Sequence, residues 1–473
     1  MSPSNLLWLS VLAVAFNGTL VHAGEASSPF IVGADISWVQ QQEAEGRRWS
    51  DEAVEKDLLA ILKDHGFNWA RFDEGGNTKP EIDVYPELVK HPPAQQPYRF
   101  DGKISRPVLE NYLARSITML DLLTEHEALE DRLRMLKSMG AKFAGRAVYV
   151  WGHEGRLPER LAAARQNAPK IHAADPEMIL QACVFEIVSQ EVEKIPVPGR
   201  AFEAFGLPPE QRHFRYEAML YPNGRDRDRW WPGASVPDIS QVETKLWFYH
   251  LAASYIDAGC EAIHFGQAEI MDAADPEHRH WREVLERVRQ YAARNARRHW
   301  LLCDAHVPSG GMLCGERLLF DFHSFPLRIV EVPERPQEGV LKMGAFDGIY
   351  GRSMGGVAPS GWRCEHLPYL VELDNWGVSH RPGQPHVGGC WVWGYDEISW
   401  FAHQDEAYRN QWLRYASSWV REHDPNGFLQ MPGSRILHAP VNGRRWYDAN
   451  TRSKAAPHGF GQEETIKAIW SKP

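Results

Sequence analysis

Short apolar stretches of strand character alternate with amphipathic helical stretches along most of this 473-residue chain, and that alternation restricts the fold more than any single motif. Parallel strands need crossover connections, usually helical, and this alternation supplies them. "FIVGADIS" (30–37) predicts a first strand, and "SDEAVEKDLLAILKDHG" (50–66) a helix opened by a Ser cap and closed by Gly. "FNWARF" (67–72) predicts a second strand, with helices over 107–120 and 124–139 after it. Further strands follow at 141–151, 179–188, 261–267, 299–306, 318–325 and 368–377, with helices over 239–258, 280–298 and 406–423. Eight strands with helical crossovers predict an α/β fold, a (β/α)8 TIM barrel with long βα-loops. The domain reading is a signal peptide over 1–23, a barrel over 24–424 and a small C-terminal β-rich cap over 425–473. In the cap, "RILHAPVNGRRWYDA" carries an Asn-Gly hairpin signal. A doubly wound sheet is disfavoured, since no G-x-G-x-x-G turn follows the first strand, and no cofactor is expected.

Side chains two apart on a strand share a face. In "PYLVELDNWG" (368–377), Tyr369, Val371 and Leu373 make an apolar face suited to packing under helices. Leu370, Glu372 and Asp374 make the other, expected to point into the barrel, with Trp376 just beyond. By the same alternation Asp304 pairs with His306, Asp321 with His323, Asp35 with Ser37, and Arg71 with Asp73. Each pair falls toward the C-terminal end of its strand, where barrel enzymes place their chemistry. Buried charge is costly unless paired or used, so several such pairs on one rim predict a functional site.

The net charge of −10 argues against a nucleic-acid partner, whose phosphates want a basic surface. "LLWLSVLAVAF" (6–16), with Val21 and Ala23 before Gly24, fits an export signal, so a secreted or periplasmic protein is expected. No later stretch is long and apolar enough to span a membrane. None of the six cysteines forms a CxxC or zinc-like cluster; Cys183 and Cys303 suit buried thiols, while Cys314 and Cys364 fall in loops where they could pair. The 19 tryptophans, among them Trp230, Trp231 and Trp362 in the long loops, suit either stacking on sugar rings or pinning of those loops.

Two carboxyl groups on one rim are the requirement of glycoside hydrolysis. Glu372 is the first choice for the ionised member, with Arg71 to hold it. For the acid, Glu186, flanked by Val184 and Val188, competes with Glu269, which lies just past its strand and is taken first. Asp35, Arg71, Asp73, His264, Asp304, His306, Asp321, His323, Asp374 and Trp376 are expected to bind substrate, a carbohydrate. "GADIS" followed by "ILKDHGFNWARF" resembles the opening β–α–β unit of glycoside hydrolases of the (β/α)8 superfamily, especially endo-β-1,4-galactanases, over residues 33–72. That resemblance implies a retaining hydrolase with catalytic glutamates on strands four and seven and an arginine after strand two, which falls on Arg71. "RFDEGG" replaces the usual continuation, "FEIVS" stands where an Asn-Glu pair is expected, and Glu372 counts to the eighth strand. Two other readings remain. One is a metal-dependent hydrolase using Asp304, His306, Asp321, His323 and His264, although the first strand lacks a His-x-His start and no metal ligand set is assigned. The other is a barrel that binds carbohydrate without catalysis.

Overall fold

The computed structural model describes residues 97–471 apart from 125–128, 274 and 387–388, together with positions 33–35, 50–51, 54–55, 61 and 69–71. The chain divides into two compact units, Met1–Lys90 and His91–Pro473. In the first, Gly33–Asp35 pairs in parallel with Trp69–Arg71. Ser50–Asp51 pairs antiparallel with Val54–Glu55, where the sequence predicts the start of a helix. The rest of that expected helix lies mostly outside the described residues.

The second unit is mixed α/β, built on a ten-stranded curled sheet. Its strands are β1 (Ser116–Met119), β2 (Phe143–Tyr149), β3 (Ile179–Cys183), β4 (Ala262–Gln267) and β5 (Leu302–His306). They continue as β6 (His323–Pro326), β7 (Tyr369–Glu372), β8 (Gly427–Leu429), β9 (Met431–Val441) and β10 (Arg444–Asp448). The order across the sheet is β8, β7, β6, β5, β4, β3, β2, β1, β9, β10. Every pairing from β8 to β9 is parallel, and only β9 with β10 is antiparallel. Helices Leu129–Met139, Leu157–Ala174, Val242–Asp257, Arg279–Asn295 and Glu406–His423 accompany the strands, a TIM-like arrangement. Only Gln430 separates β8 from β9, yet Leu429 pairs with Val371 of β7 and Met431 with Ile117 of β1.

Four sequence expectations change. First, the strands at 33–35 and 69–71 form their own two-stranded sheet, and the ten-stranded sheet draws all its strands from residue 116 onward. Glu372 therefore lies on the seventh strand of the large sheet in chain order, not the eighth. Second, the helix expected over 107–120 ends at Leu113, because Val108, Leu109, Tyr112 and Leu113 already complete its buried stripe. The β-branched Ile117 and Thr118 that follow enter the sheet as β1. Third, residues 427–448 are strands of the sheet itself where a cap was expected. The Asn-Gly hairpin is there, with Asn442 and Gly443 both at positive φ, joining β9 to β10. Fourth, the faces of β6 are inverted, as its packing shows.

Phe143, Ile179, Ala262, Leu302, Phe322, Leu370 and Phe428 form one apolar cluster with the helix Arg106–Leu113. Two residues further along each strand, the same interior face turns polar: Gln181, His264, Asp304, Ser324, Glu372 and Gln430, all buried. Gly145 of β2 has no side chain in this layer because a Cβ there would collide with Gln430. Since Phe322 and Ser324 are interior, Asp321 and His323 face the other way; a shift of one residue exchanges the two faces of a strand. Tyr369, Val371 and Leu373 pack outward in the main core, on the face expected for them.

Candidate active site

A cleft of about 640 Å3 opens at the C-terminal ends of the strands. Its lining draws on Glu186 beyond β3, Gln267 at the end of β4, His306 at the end of β5, Arg328 beyond β6, Asp374 beyond β7 and Arg435 within β9. Arg146 of β2 also reaches it, and its backbone explains how. Arg146 has a φ of 59° at the point where the β2–β3 register shifts, between Ala144 and Val148. A bulge of this kind re-aims a side chain that a regular strand would turn elsewhere.

Beneath the cleft, Glu372 is 2% exposed and heavily engaged. Its Oε2 accepts from Arg435 Nη1 at 2.7 Å, Arg146 Nε at 3.2 Å and Thr118 Oγ1 at 3.3 Å. Its Oε1 accepts from Arg146 Nη2, and His306 Nε2 stands 3.6 Å away, at ion-pair rather than hydrogen-bond range. Burial alone would push this carboxyl up, but the Arg146 and Arg435 guanidinium groups overrule it and hold it well below the usual carboxylate range. The residue that was expected to orient Glu372, Arg71, has its side chain outside the described residues, as do Asp35 and Asp73.

In the same layer, two strands from Glu372, Asp304 accepts from Gln181 Nε2 at 2.7 Å and Ser324 Oγ at 2.8 Å, with His264 Nδ1 at 2.8 Å. Burial pushes its carboxyl up to about 7, against the Ser324 hydrogen bond and the His306 and Arg146 charges. Burial, with His306 and Arg146 nearby, drives His264 well below its ordinary value. The His264 and His306 rings meet edge to face with centroids 4.7 Å apart. Asp304, His264 and Glu372, all buried, are thus linked through His306, which is half-buried and lines the cleft above them. Among the described residues no group of three or more His, Cys, Asp or Glu side chains is arranged to hold a metal ion.

The two candidate acids separate clearly. Glu186 is buried in the cleft lining and accepts from Gln267 N at 2.9 Å and Gln267 Nε2 at 3.2 Å. Its carboxylate rests against Gly266, where a Cβ would collide with Oε2. Glu269 is outside the lining, its carboxylate taken up by the Ser309 hydroxyl and by Ser309 N at 3.1 Å. Asp374 and Trp376 line the cleft, and Asp374 Oδ2 accepts from Arg328 Nη1 at 3.0 Å. Glu397 holds the neighbouring loops together, accepting from Ile329 N and Asp374 N, and burial with the nearby Asp374 charge pushes it up to about 7.

Asp321 and His323 are not part of the site, contrary to the sequence expectation. Asp321 binds Arg289 of the helix Arg279–Asn295, Trp300 Nε1 and Cys303 N, tying that helix to the start of β5. His323 is enclosed beside Ser353, and burial pushes it down to about 3. Trp230 lines the cleft and donates its indole N–H to Glu186 O, whereas Trp362 donates to Ile104 O beside the helix Arg106–Leu113. Trp231 packs against Trp151 and His153. All six cysteines are unpaired, including Cys314 and Cys364. Sequence reasoning missed Arg146 and Arg435; each is a lone arginine inside an otherwise strand-like run, "KFAGRAVYV" and "GSRILHAPV", and that was the available signal.

No protein-family model matches the chain, and no curated protein matches it in sequence. Among solved structures, an α-amylase from Lactobacillus plantarum aligns at 12% identity over 76% of this chain and 81% of its own, with a TM-score of 0.40. A family 27 β-L-arabinopyranosidase from Geobacillus stearothermophilus, in complex with arabinose, aligns at 11% identity over 41% of this chain, with a TM-score of 0.26. The alignment spans 50% of that arabinopyranosidase. A truncated 3-deoxy-D-arabino-heptulosonate 7-phosphate synthase from Thermotoga maritima aligns at 12% identity over 75% of this chain and 84% of its own, with a TM-score of 0.30. Likeness this low says nothing of chemistry, which rests on the residues of the cleft.

Proposed function

We propose that the protein is a glycoside hydrolase acting on an oligo- or polysaccharide in the cleft at the C-terminal end of a closed eight-stranded barrel. The observation that carries this reading is the cleft lining: the carboxylates Glu186 and Asp374 share it with Trp151, Trp230 and Trp376. Aromatic faces suit sugar rings, and two carboxyl groups are what glycosidic cleavage needs. Closure is supported by the single residue between β8 and β9, which pair with opposite margins of the sheet.

Glu186 is assigned the proton donor. It is enclosed, its described hydrogen bonds come from Gln267 alone, and no described cation pairs with it. Asp374 is assigned the partner carboxylate, oriented by Arg328 Nη1 at Oδ2 and by Asn375 N at Oδ1. Glu372, with both oxygens occupied, serves as the anchor that holds Arg146 and Arg435 at the cleft floor. A nucleophile must face the sugar, and Glu372 is absent from the cleft lining, which Arg146, Arg435 and His306 occupy above it. The retaining course implied by the galactanase resemblance would be tested by NMR of the first-formed anomer. Export, supported by the apolar run 6–16, would be tested by N-terminal sequencing of the expressed protein, with Gly24 expected first.

A glycan-panel hydrolysis screen tests the assignment. Glu186→Gln and Asp374→Asn should each lose roughly 100-fold or more in kcat, while Glu269→Gln keeps near wild-type turnover. Hydrolysis by Glu186→Gln at the wild-type rate would remove it as the acid. The enclosure of Glu372 beneath the cleft lining also favours a second reading, a barrel that binds glycans without cleaving them. Binding with no turnover by any variant or by wild type would establish that one.

A further inference from the structure

Two arginines share one carboxylate at the floor of the cleft. Arg146 donates through Nε and Nη2 to Glu372, and Arg435 donates through Nη1 to the same group. Among the described residues neither has a second carboxylate at ion-pair distance. Both are buried and both line the cleft. Arg435 Nε is fully enclosed and has no hydrogen-bond partner among the described residues, and the same holds for His306 Nε2 beside it. Asp304 does not fill the gap, since Gln181, Ser324 and His264 already engage it.

The third arginine of the cleft is the opposite case. Arg328 is met by two carboxylates, Asp347 and Asp374, so that side carries no surplus positive charge. The surplus is confined to Arg146 and Arg435. A buried guanidinium without its own counter-charge is unfavourable, and an arriving anion relieves that condition where a hydroxyl cannot.

We infer, on the reading that the cleft holds a glycan, that Arg146 and Arg435 form a subsite for an acidic sugar, a ring bearing a carboxylate or a sulfate. Guanidinium groups suit this role because they stay charged and present several donors in one plane, matching anionic oxygens two at a time. A neutral sugar placed there leaves the extra charge unmatched. The subsite thereby selects for a chain that places an acidic ring against Arg146 and Arg435 over its uncharged counterpart.

The test uses the full chain and four oligosaccharides of equal length: a uronate, its methyl ester, a sulfated chain and a neutral chain. Calorimetric binding is measured at low and high salt alongside hydrolysis. The uronate or the sulfated chain should bind at least about tenfold more tightly than the methyl ester and the neutral chain, with the gap narrowing at high salt. Which of the two anions binds identifies the group. Arg435→Gln should erase the difference between acidic and neutral chains; the wild-type comparison stands even if that variant folds poorly. Equal binding of all four chains overturns the inference while leaving a glycosidase intact if those chains are cleaved. Tight binding of an acidic chain that is never cleaved keeps the subsite and removes the hydrolase. Binding of none of the four removes both.

Discussion

Replacing Glu372 by Gln distinguishes an electrostatic anchor from a reacting group. In the wild type this carboxylate, 3% exposed at its side chain, is the only described counter-charge of both Arg146 and Arg435. Glutamine preserves its shape and removes its charge, leaving two buried guanidinium groups facing a neutral amide. Breaking a buried pair from one side costs about 3–5 kcal/mol, because the partner charge stays enclosed. For a folded unit of roughly 380 residues the unfolding entropy near the midpoint is about 0.8 kcal/mol/K, so Tm should fall by about 4–6 °C. Differential scanning calorimetry of Glu372→Gln beside Glu186→Gln gives the comparison. Glu186 pairs with no described cation, and its variant should melt within about 2 °C of wild type. The sign of the pH dependence follows from the same geometry. The folded-state carboxyl is held low, so its stabilisation is complete above the unfolded value of about 4.3 and is lost as pH falls toward the folded value. Glu372→Gln should therefore flatten the acid limb of the stability profile. An unchanged Tm and acid limb together with abolished turnover would refute the anchor and restore Glu372 as a reacting carboxylate.

Three further outcomes are expected. Asp304, pushed up to about 7 by burial, stays protonated in the folded state while the unfolded chain ionises near pH 4, so wild-type stability should decline between about pH 4 and 7, and Asp304→Asn should decline less in urea titrations across that window. Trp376 is 51% exposed and lines the cleft, so Trp376→Ala should weaken glycan binding about fivefold, near 1 kcal/mol of aromatic contact, with Tm unchanged in the same scan. Gly433 lies where β9 crosses β1, and a Cβ there would sit 2.7 Å from Thr118 O; Gly433→Val should lower stability by about 1–3 kcal/mol in denaturant melts, and no loss would speak against that pairing.

Six of the strands in the large sheet were legible because each is a run of apolar and β-branched residues bounded by turn residues or by a helix with clear 3.6 periodicity. The interior face of β7 was legible for a related reason: a period of two, once Leu370, Glu372 and Asp374 are seen to alternate with Tyr369, Val371 and Leu373, leaves only two choices. The same rule misplaced Asp321 and His323. Their strand is apolar on both sides, with Phe320, Phe322 and Phe325 all buried, so alternation alone does not say which face is inside. Neighbouring strands decide it, through Ser324 reaching Asp304 and Phe322 joining Leu370. The four residues of β1 were hidden behind a good helix, and β8 with β9 behind a hairpin signal that was itself correct.

By itself, then, the sequence determined the α/β alternation, most of the parallel strands and the placement of carboxylates near their C-terminal ends. Only the tertiary structure decided which charges meet. Glu372 is 226 residues from Arg146 and 63 from Arg435, and Glu186 is 81 from the Gln267 that orients it. Pairing across such distances depends on strand order, on the bulge that turns Arg146 inward and on the glycine that admits Glu186, and each of these is set by contacts between strands rather than by the pattern along any one of them.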